Sequence, residues 1–150
     1  MTTSNHIFTG AAIALAVNQP VVALPLALLS HFVLDALPHY GIDGAGYIEA
    51  AKYKLTYVME SFNIVGIPLL VYLLWGQPWW VWLAAGLAIL PDIVWIYAYF
   101  TYERYGKEMV QGPITRMHSK IQWGERHWGI LIEVPFLVCM VLLVASLVTW

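Results

Sequence analysis

The sequence predicts an all-α membrane protein, a polytopic bundle of about five apolar segments arranged as two helical hairpins and a C-terminal helix. One integral membrane domain covers residues 1–150. Three observations carry this expectation. The chain is 61% hydrophobic and only 11% charged, against roughly 25% charged in an average soluble domain. Its mean hydropathy is +0.70, more apolar surface than a soluble fold of this length can enclose. All seven lysines and arginines fall into two polar stretches, His39–Thr56 and Thr101–His127, which leaves the rest of the chain to long apolar runs.

The segments follow in order. Segment I, His6 to Asn18, is short, and reaches roughly 25 Å only if the residues from Thr2 to Asn5 are helical as well. The turn Asn18-Gln19-Pro20 leads to segment II, Val21–Leu37. Segment III is Tyr57–Trp75, the turn Gly76-Gln77-Pro78 follows, and segment IV is Trp79–Phe100. Segment V is Trp128–Trp150. With five crossings, the N-terminus and both charged stretches share one side, and the positive-inside bias makes that side cytoplasmic, with the C-terminus outside. Trp75, Trp79, Trp80 and Trp150 are placed to mark the outer interface, and Tyr99, Tyr102, Trp123 and Trp128 the inner one. Pro25, Pro68, Pro91 and Pro135 read as kinks, while Gly10, Gly66 and Gly86 allow close helix packing.

Charge and cysteine content exclude several classes. A net charge of -2 with a pI near 6.2 argues against a nucleic-acid binder, which needs a basic face. Cys139 is the single cysteine, so intramolecular disulfides and cysteine-based zinc sites are ruled out. No cleavable signal is expected, because the N-terminal run lacks a basic start and a small-residue cleavage site.

Segments II to V each carry one acid: Asp35, Glu60, Asp92 and Glu133. Each costs ~2.5–3.5 kcal/mol at mid-depth on insertion scales. Asp92 is expected ~12 Å below the charged boundary, His31 ~9 Å and Glu133 ~8 Å, with His6, Asp35 and Glu60 nearer to it. All lie in the cytoplasmic half, where one polar site would bring them together. His31 and Asp35 are one turn apart in Ser30-His31-Phe32-Val33-Leu34-Asp35 and share a helix face. An imidazole and a carboxylate so placed suit a divalent metal. His6 at the start of segment I, Asp92 of segment IV and His118 of the second polar stretch are further ligand candidates. His39 lies a turn beyond Asp35 but past Pro38, where it either caps the site or sits at the interface; His127 reads as interfacial. Nitrogen and oxygen ligands without sulfur suit zinc, manganese or iron, with zinc favoured for hydrolysis.

The elements His6-Ile7-Phe8-Thr9-Gly10, Ser30 to Asp35, Pro91-Asp92 and His118-Ser119 resemble those of the membrane-bound metal-dependent hydrolases of bacteria and archaea. Their H-x3-D pair is similar to the ligand pairs of zinc-dependent phospholipase C. The resemblance implies a small multi-helical enzyme of a prokaryotic cytoplasmic membrane, with His6, His31, Asp35, Asp92 and His118 as metal ligands. Two departures stand out: the S-H-x3-D element precedes P-D here, and the family's P-D-x-D-H run is reduced to Pro91-Asp92-Ile93-Val94-Trp95.

If metal is bound, hydrolysis of a phosphoester or lipid-like substrate at the cytoplasmic leaflet is expected, with Asp92, Glu60 or Glu133 as general base where it is not ligated and Arg116 as the phosphate-binding group. Partners are then the bilayer and the substrate, with an oligomer compatible. The competing classes are a non-enzymatic scaffold or assembly protein and a proton- or ion-handling protein. Transport would need ionisable groups in the outer halves of the helices, which hold none, and haem would need a second histidine at matching depth. A thin similarity between Ala27–Asp35 and Ala84–Asp92 hints at internal duplication of the hairpins.

Overall fold

A computed structural model of the chain describes residues 1–42, 47–107 and 112–148. The described elements are helical: α1 (Thr3–Val17), α2 (Pro20–Ala36), the single turn α3 (Tyr47–Ala50), α4 (Lys54–Leu73), α5 (Trp79–Ile89), α6 (Ile93–Thr101), α7 (Pro113–Ile121) and α8 (Ile130–Leu147). Tight 3-10 turns at Leu90–Asp92, Glu103–Tyr105, Gln122–Gly124 and His127–Gly129 join the later ones. Three stretches are long and apolar enough to cross a membrane: Lys54–Leu73, Trp79–Tyr105 and His127–Leu147. The helices α1 and α2, of 15 and 17 residues, measure about 22 and 25 Å and fall below that length. Trp150, the expected outer marker of segment V, lies outside the described residues.

The shortest apolar segment forms the centre. α1 packs against α2, α4, α5 and α8. Its small residues make this possible: Gly10, Ala11, Ala12 and Ala14 are all buried. A Cβ at Gly10 would stand 2.6 Å from the Ala84 carbonyl oxygen and 2.8 Å from the Ala88 Cβ, so α1 and α5 touch nearly backbone to backbone. Gly66 admits α1 to α4 in the same manner, with Ser4 against it, whereas Gly86 faces open space and contributes nothing to helix packing. α1 ends where Asn18 takes a left-handed conformation (φ 51°), which asparagine tolerates, and Pro20 then opens α2 at a position that needs no amide proton. α4 and α5, expected as a second hairpin, both lean on α1, and α4 also meets α8 while α5 meets α2. A small-residue face accepts more neighbours than a face of leucines, and α1 takes them.

Segment IV is not one continuous helix. Pro91 has no amide proton to continue the α5 ladder, and the chain passes through a 3-10 turn at Leu90–Asp92 before α6 begins. The second polar stretch returns to the bundle at residues 122–129. There the His39 amide donates to the Gly124 carbonyl (3.2 Å), and the Arg126 amide donates to the His39 carbonyl (2.9 Å). This short parallel bridge needs two glycines. A Cβ on Gly129 would lie 2.0 Å from the His39 carbonyl carbon, and one on Gly124 would lie 2.5 Å from the Leu37 oxygen. The clamp holds α7 beside the end of α2, which brings His118 to the site.

Candidate metal centre

Five side chains from four parts of the chain converge at one end of α1. They are His6 of α1, His31 and Asp35 of α2, Asp92 at the break after α5, and His118 of α7. The histidines and Asp35 are essentially sealed, and Asp92 is 25% exposed. His31 Nε2 lies 3.1 Å from Asp35 Oδ2 and 3.1 Å from His118 Nε2. His118 Nε2 lies 2.9 Å from Asp35 Oδ2. Asp92 Oδ1 completes the group at 3.5 Å from His31 Nε2 and 3.8 Å from His118 Nε2. On the other oxygen of Asp35, His6 Nε2 approaches to 3.2 Å and the Met1 amino nitrogen to 2.7 Å. The His6 and His31 rings stack with centroids 4.2 Å apart.

The tautomer of His31 follows from its surroundings. Its Nδ1 sits 2.8 Å from the Ala88 carbonyl oxygen. A carbonyl only accepts, so Nδ1 carries a proton, and in the neutral imidazole Nε2 presents a lone pair to the cluster. The helix break explains why that carbonyl is available. α5 ends at Ile89, so Ala88 belongs to the last turn, whose carbonyls lack intrahelical donors. The break that presents Asp92 therefore also orients His31.

The donor set can be tested for fit to a divalent ion. Ligands about 2.0–2.1 Å from a shared ion stand roughly 3.3–3.4 Å apart in tetrahedral geometry. Five of the six distances among His31 Nε2, His118 Nε2, Asp35 Oδ2 and Asp92 Oδ1 run from 2.9 to 3.8 Å and bracket that edge, and the two carboxylate oxygens lie within 4.8 Å of each other. Buried polar atoms without partners point the same way. Among the described residues, both ring nitrogens of His6 and the Nδ1 of His118 have no hydrogen-bond partner, His6 Nε2 lying 3.2 Å from Asp35 Oδ1 as an ion-pair contact. A buried polar group left unpaired costs about 1–3 kcal/mol, and His6, beside the other oxygen of Asp35, has a free nitrogen to offer a ligand. An imidazole donating its far proton to a backbone carbonyl, as His31 does, is the usual outer shell of a metal-bound histidine. The residues fit the group.

The other acids stand apart. Glu133 is buried on α8, but its carboxylate accepts from the amides of Thr2 and Tyr40 (3.0 Å for the latter) and from the Asn5 side chain at 3.3 Å. It pins α8 to the start of α1 and to the segment after α2. With both oxygens engaged, it is poorly placed to act as a base. Glu60 is exposed on α4 and accepts from Asn63 at 3.0 Å, outside the cluster. Arg116 is exposed on α7. It precedes His118 by two residues, which turns it about 200° around the helix, so it points away from the face that meets the cluster. His39 is buried with Nδ1 2.8 Å from the Leu37 carbonyl, and it serves the clamp. His127 is exposed beside the Tyr40 and Tyr53 rings.

Two neighbours escaped the sequence reading. Gln122 Nε2 reaches Asp35 Oδ2 at 3.4 Å. The Trp95 ring lies 5.5 Å from the His118 ring, centroid to centroid. Trp95 follows Asp92 by three residues, a spacing that shares a helix face, and that signal was available.

No protein-family model matches the chain, and no curated protein or solved structure matches it either.

Proposed function

We propose that the chain is an integral membrane, metal-dependent hydrolase acting on a phosphoester or lipid-like substrate at the cytoplasmic leaflet. In this reading α1 and α2 join the three longer helices in the bilayer, giving five segments with the charged stretches and N-terminus cytoplasmic. The observation that carries the proposal is the convergence of His31, His118, Asp35 and Asp92, with His31 Nδ1 held by the Ala88 carbonyl and its Nε2 turned to the cluster. The site residues proposed as ligands are His6, His31, Asp35, Asp92 and His118, and the ion is zinc by the character of its donors. The chemistry such an ion supplies is polarisation of the ester oxygen and acidification of a water.

The chain's own groups do the rest. His6, His31, Asp35 and His118 are buried and hold the polar centre against a bundle of apolar helices, which excludes bulk water. If it is left off the ion, with His31, His118 and Asp35 holding the metal, Asp92 has the exposed edge and is the group placed to take a proton from attacking water and return it to the leaving alkoxide. Glu133, Glu60 and Arg116 have no part in that transfer. Elemental analysis of the detergent-purified protein beside the His31→Ala/Asp35→Ala variant tests the reading. Near-stoichiometric zinc, manganese or iron is expected in the wild type and none in the variant. Metal in neither, even after reconstitution, would overturn it and leave a scaffold or a proton-handling role for the buried acids.

A further inference from the structure

The cluster is closed on every side but one. His6 and His31 show no exposed surface, and Asp35 and His118 show 1% each, while Asp92 shows 25%. What lies beyond that edge decides what can enter. Asp92 belongs to Trp79–Tyr105, a stretch apolar enough to cross a membrane. The residue after it, Ile93, is 53% exposed, and Ile96, one turn on along the same face, is also 53% exposed. Among the described residues, α6 makes its main backbone approaches to the turns before and after it in the chain, with the Trp95 ring reaching α7. The open edge of the polar centre therefore continues into an apolar helix face that stays exposed among the described residues.

A second observation lies on the side of α6 that faces the cluster, three residues from Asp92. The Trp95 indole nitrogen is buried and has no acceptor among the described residues, although its ring packs on His118. Indole N–H only donates. An unmet donor next to a cluster of carboxylates and imidazoles calls for an oxygen brought by a ligand.

We propose that the cluster takes its substrate sideways from the bilayer, past Asp92 and Ile96, as a phosphoester bearing a hydrocarbon chain. The chain lies along Ile93 and Ile96, and Trp95 donates its indole proton to a non-bridging phosphoryl oxygen. This rests on the hydrolase reading and narrows its substrate to an amphiphile. A soluble phosphoester of the same head group lacks the part that α6 would hold.

The test uses zinc-loaded full-length protein in lipid nanodiscs and two non-hydrolysable probes, dodecylphosphonate and methylphosphonate. Phosphorus NMR titration reads binding, and zinc content is measured on each sample. Saturable dodecylphosphonate binding is expected, at least about tenfold tighter than methylphosphonate. Trp95→Phe should weaken it about tenfold at unchanged zinc content. Ile96→Trp, which fills the open face, should weaken dodecylphosphonate more than methylphosphonate. Zinc retained with equal binding of the two probes, with no saturable binding of either, or with no effect of Trp95→Phe, would overturn the lateral route and leave the metal centre standing. A protein that takes up no zinc would remove the hydrolase reading and this inference together.

Discussion

α2 and α5 both carry a small apolar run that ends in an aspartate, Ala27–Asp35 in one and Ala84–Asp92 in the other, with His31 and Ala88 at equivalent places. They pack on each other and on α1. α2 stays helical past Asp35, so two side chains one turn apart, His31 and Asp35, reach the cluster from a single face. α5 stops at Ile89, and the break delivers one side chain, Asp92, and one carbonyl, that of Ala88. The two contributions are complementary. His31 turns Nε2 to the cluster and gives its Nδ1 proton to α5. A continuous helix cannot offer a carbonyl sideways, and a broken one cannot hold two ligands in fixed register. The two runs thus divide the work of ligating and orienting.

The sharpest way to break that comparison is to neutralise each aspartate in turn. Asp35 is sealed and touches His6, His31 and His118, whereas Asp92 meets the rim at 3.5 and 3.8 Å. Asp35→Asn is expected to lower zinc affinity at least about 100-fold and Asp92→Asn about tenfold, read by competition with a chelating dye. The reverse ranking would show that the broken helix, not the continuous one, anchors the centre.

The two prolines sharpen it next. Pro91→Ala lets α5 run on into α6, withdraws Asp92 from the cluster and returns an amide donor to the last turn of α5. A loss of about tenfold in zinc affinity is expected, with a melting temperature equal to or above the wild type. Pro25→Ala, inside the unbroken α2, should leave affinity unchanged. Equal effects of the two would mean that the break plays no part in ligand placement.

Much of the site was legible in the sequence, and the reason is local. His31 and Asp35 lie one turn apart, so helix geometry alone pairs them. Asp92 stands out because an acid in an apolar run needs an explanation. His6 and His118 needed more than spacing, since their meeting depends on Gly10, Gly124 and Gly129, whose role appears only when the partner backbone is in place. The roles given to Glu133 and Arg116 failed for tertiary reasons. Glu133 is consumed by the amides of Thr2 and Tyr40, from segments more than ninety residues away in the chain. The fold was legible as far as helices and apolar runs go. The central place of α1 was not, because its shortness suggested a marginal span, while its alanines and glycine mark a helix enclosed by others.

Glycine substitutions probe the contact that sets Ala88 in place. Gly10→Val drives a side chain into the Ala84 carbonyl and the Ala88 methyl, and overpacking of this kind costs about 1–3 kcal/mol. Gly86→Val meets open space and should change stability by no more than about 0.5 kcal/mol. Thermal unfolding in detergent distinguishes them. A Gly10→Val protein as stable as the wild type would mean that α1 and α5 have room to part, and the Ala88 carbonyl would then be no fixed reference for His31.

The smallest effect expected is at Arg116. Two residues before His118, it looks from the sequence like a natural phosphate clamp, but a helix carries it to the opposite side of α7, where it is exposed. Arg116→Ala should leave zinc content and affinity within about twofold of the wild type, as for other surface changes, and Glu60→Gln should behave alike because its carboxylate serves Asn63. The contrast lies with Gln122, six residues along from Arg116, which reaches Asp35. Gln122→Ala should disturb the centre more than removal of the nearby charge does. If Arg116→Ala instead lowered affinity tenfold, α7 would have to turn on its axis when the ion binds, and the His118 contacts to Asp35 and His31 would need to be rebuilt around that rotated helix.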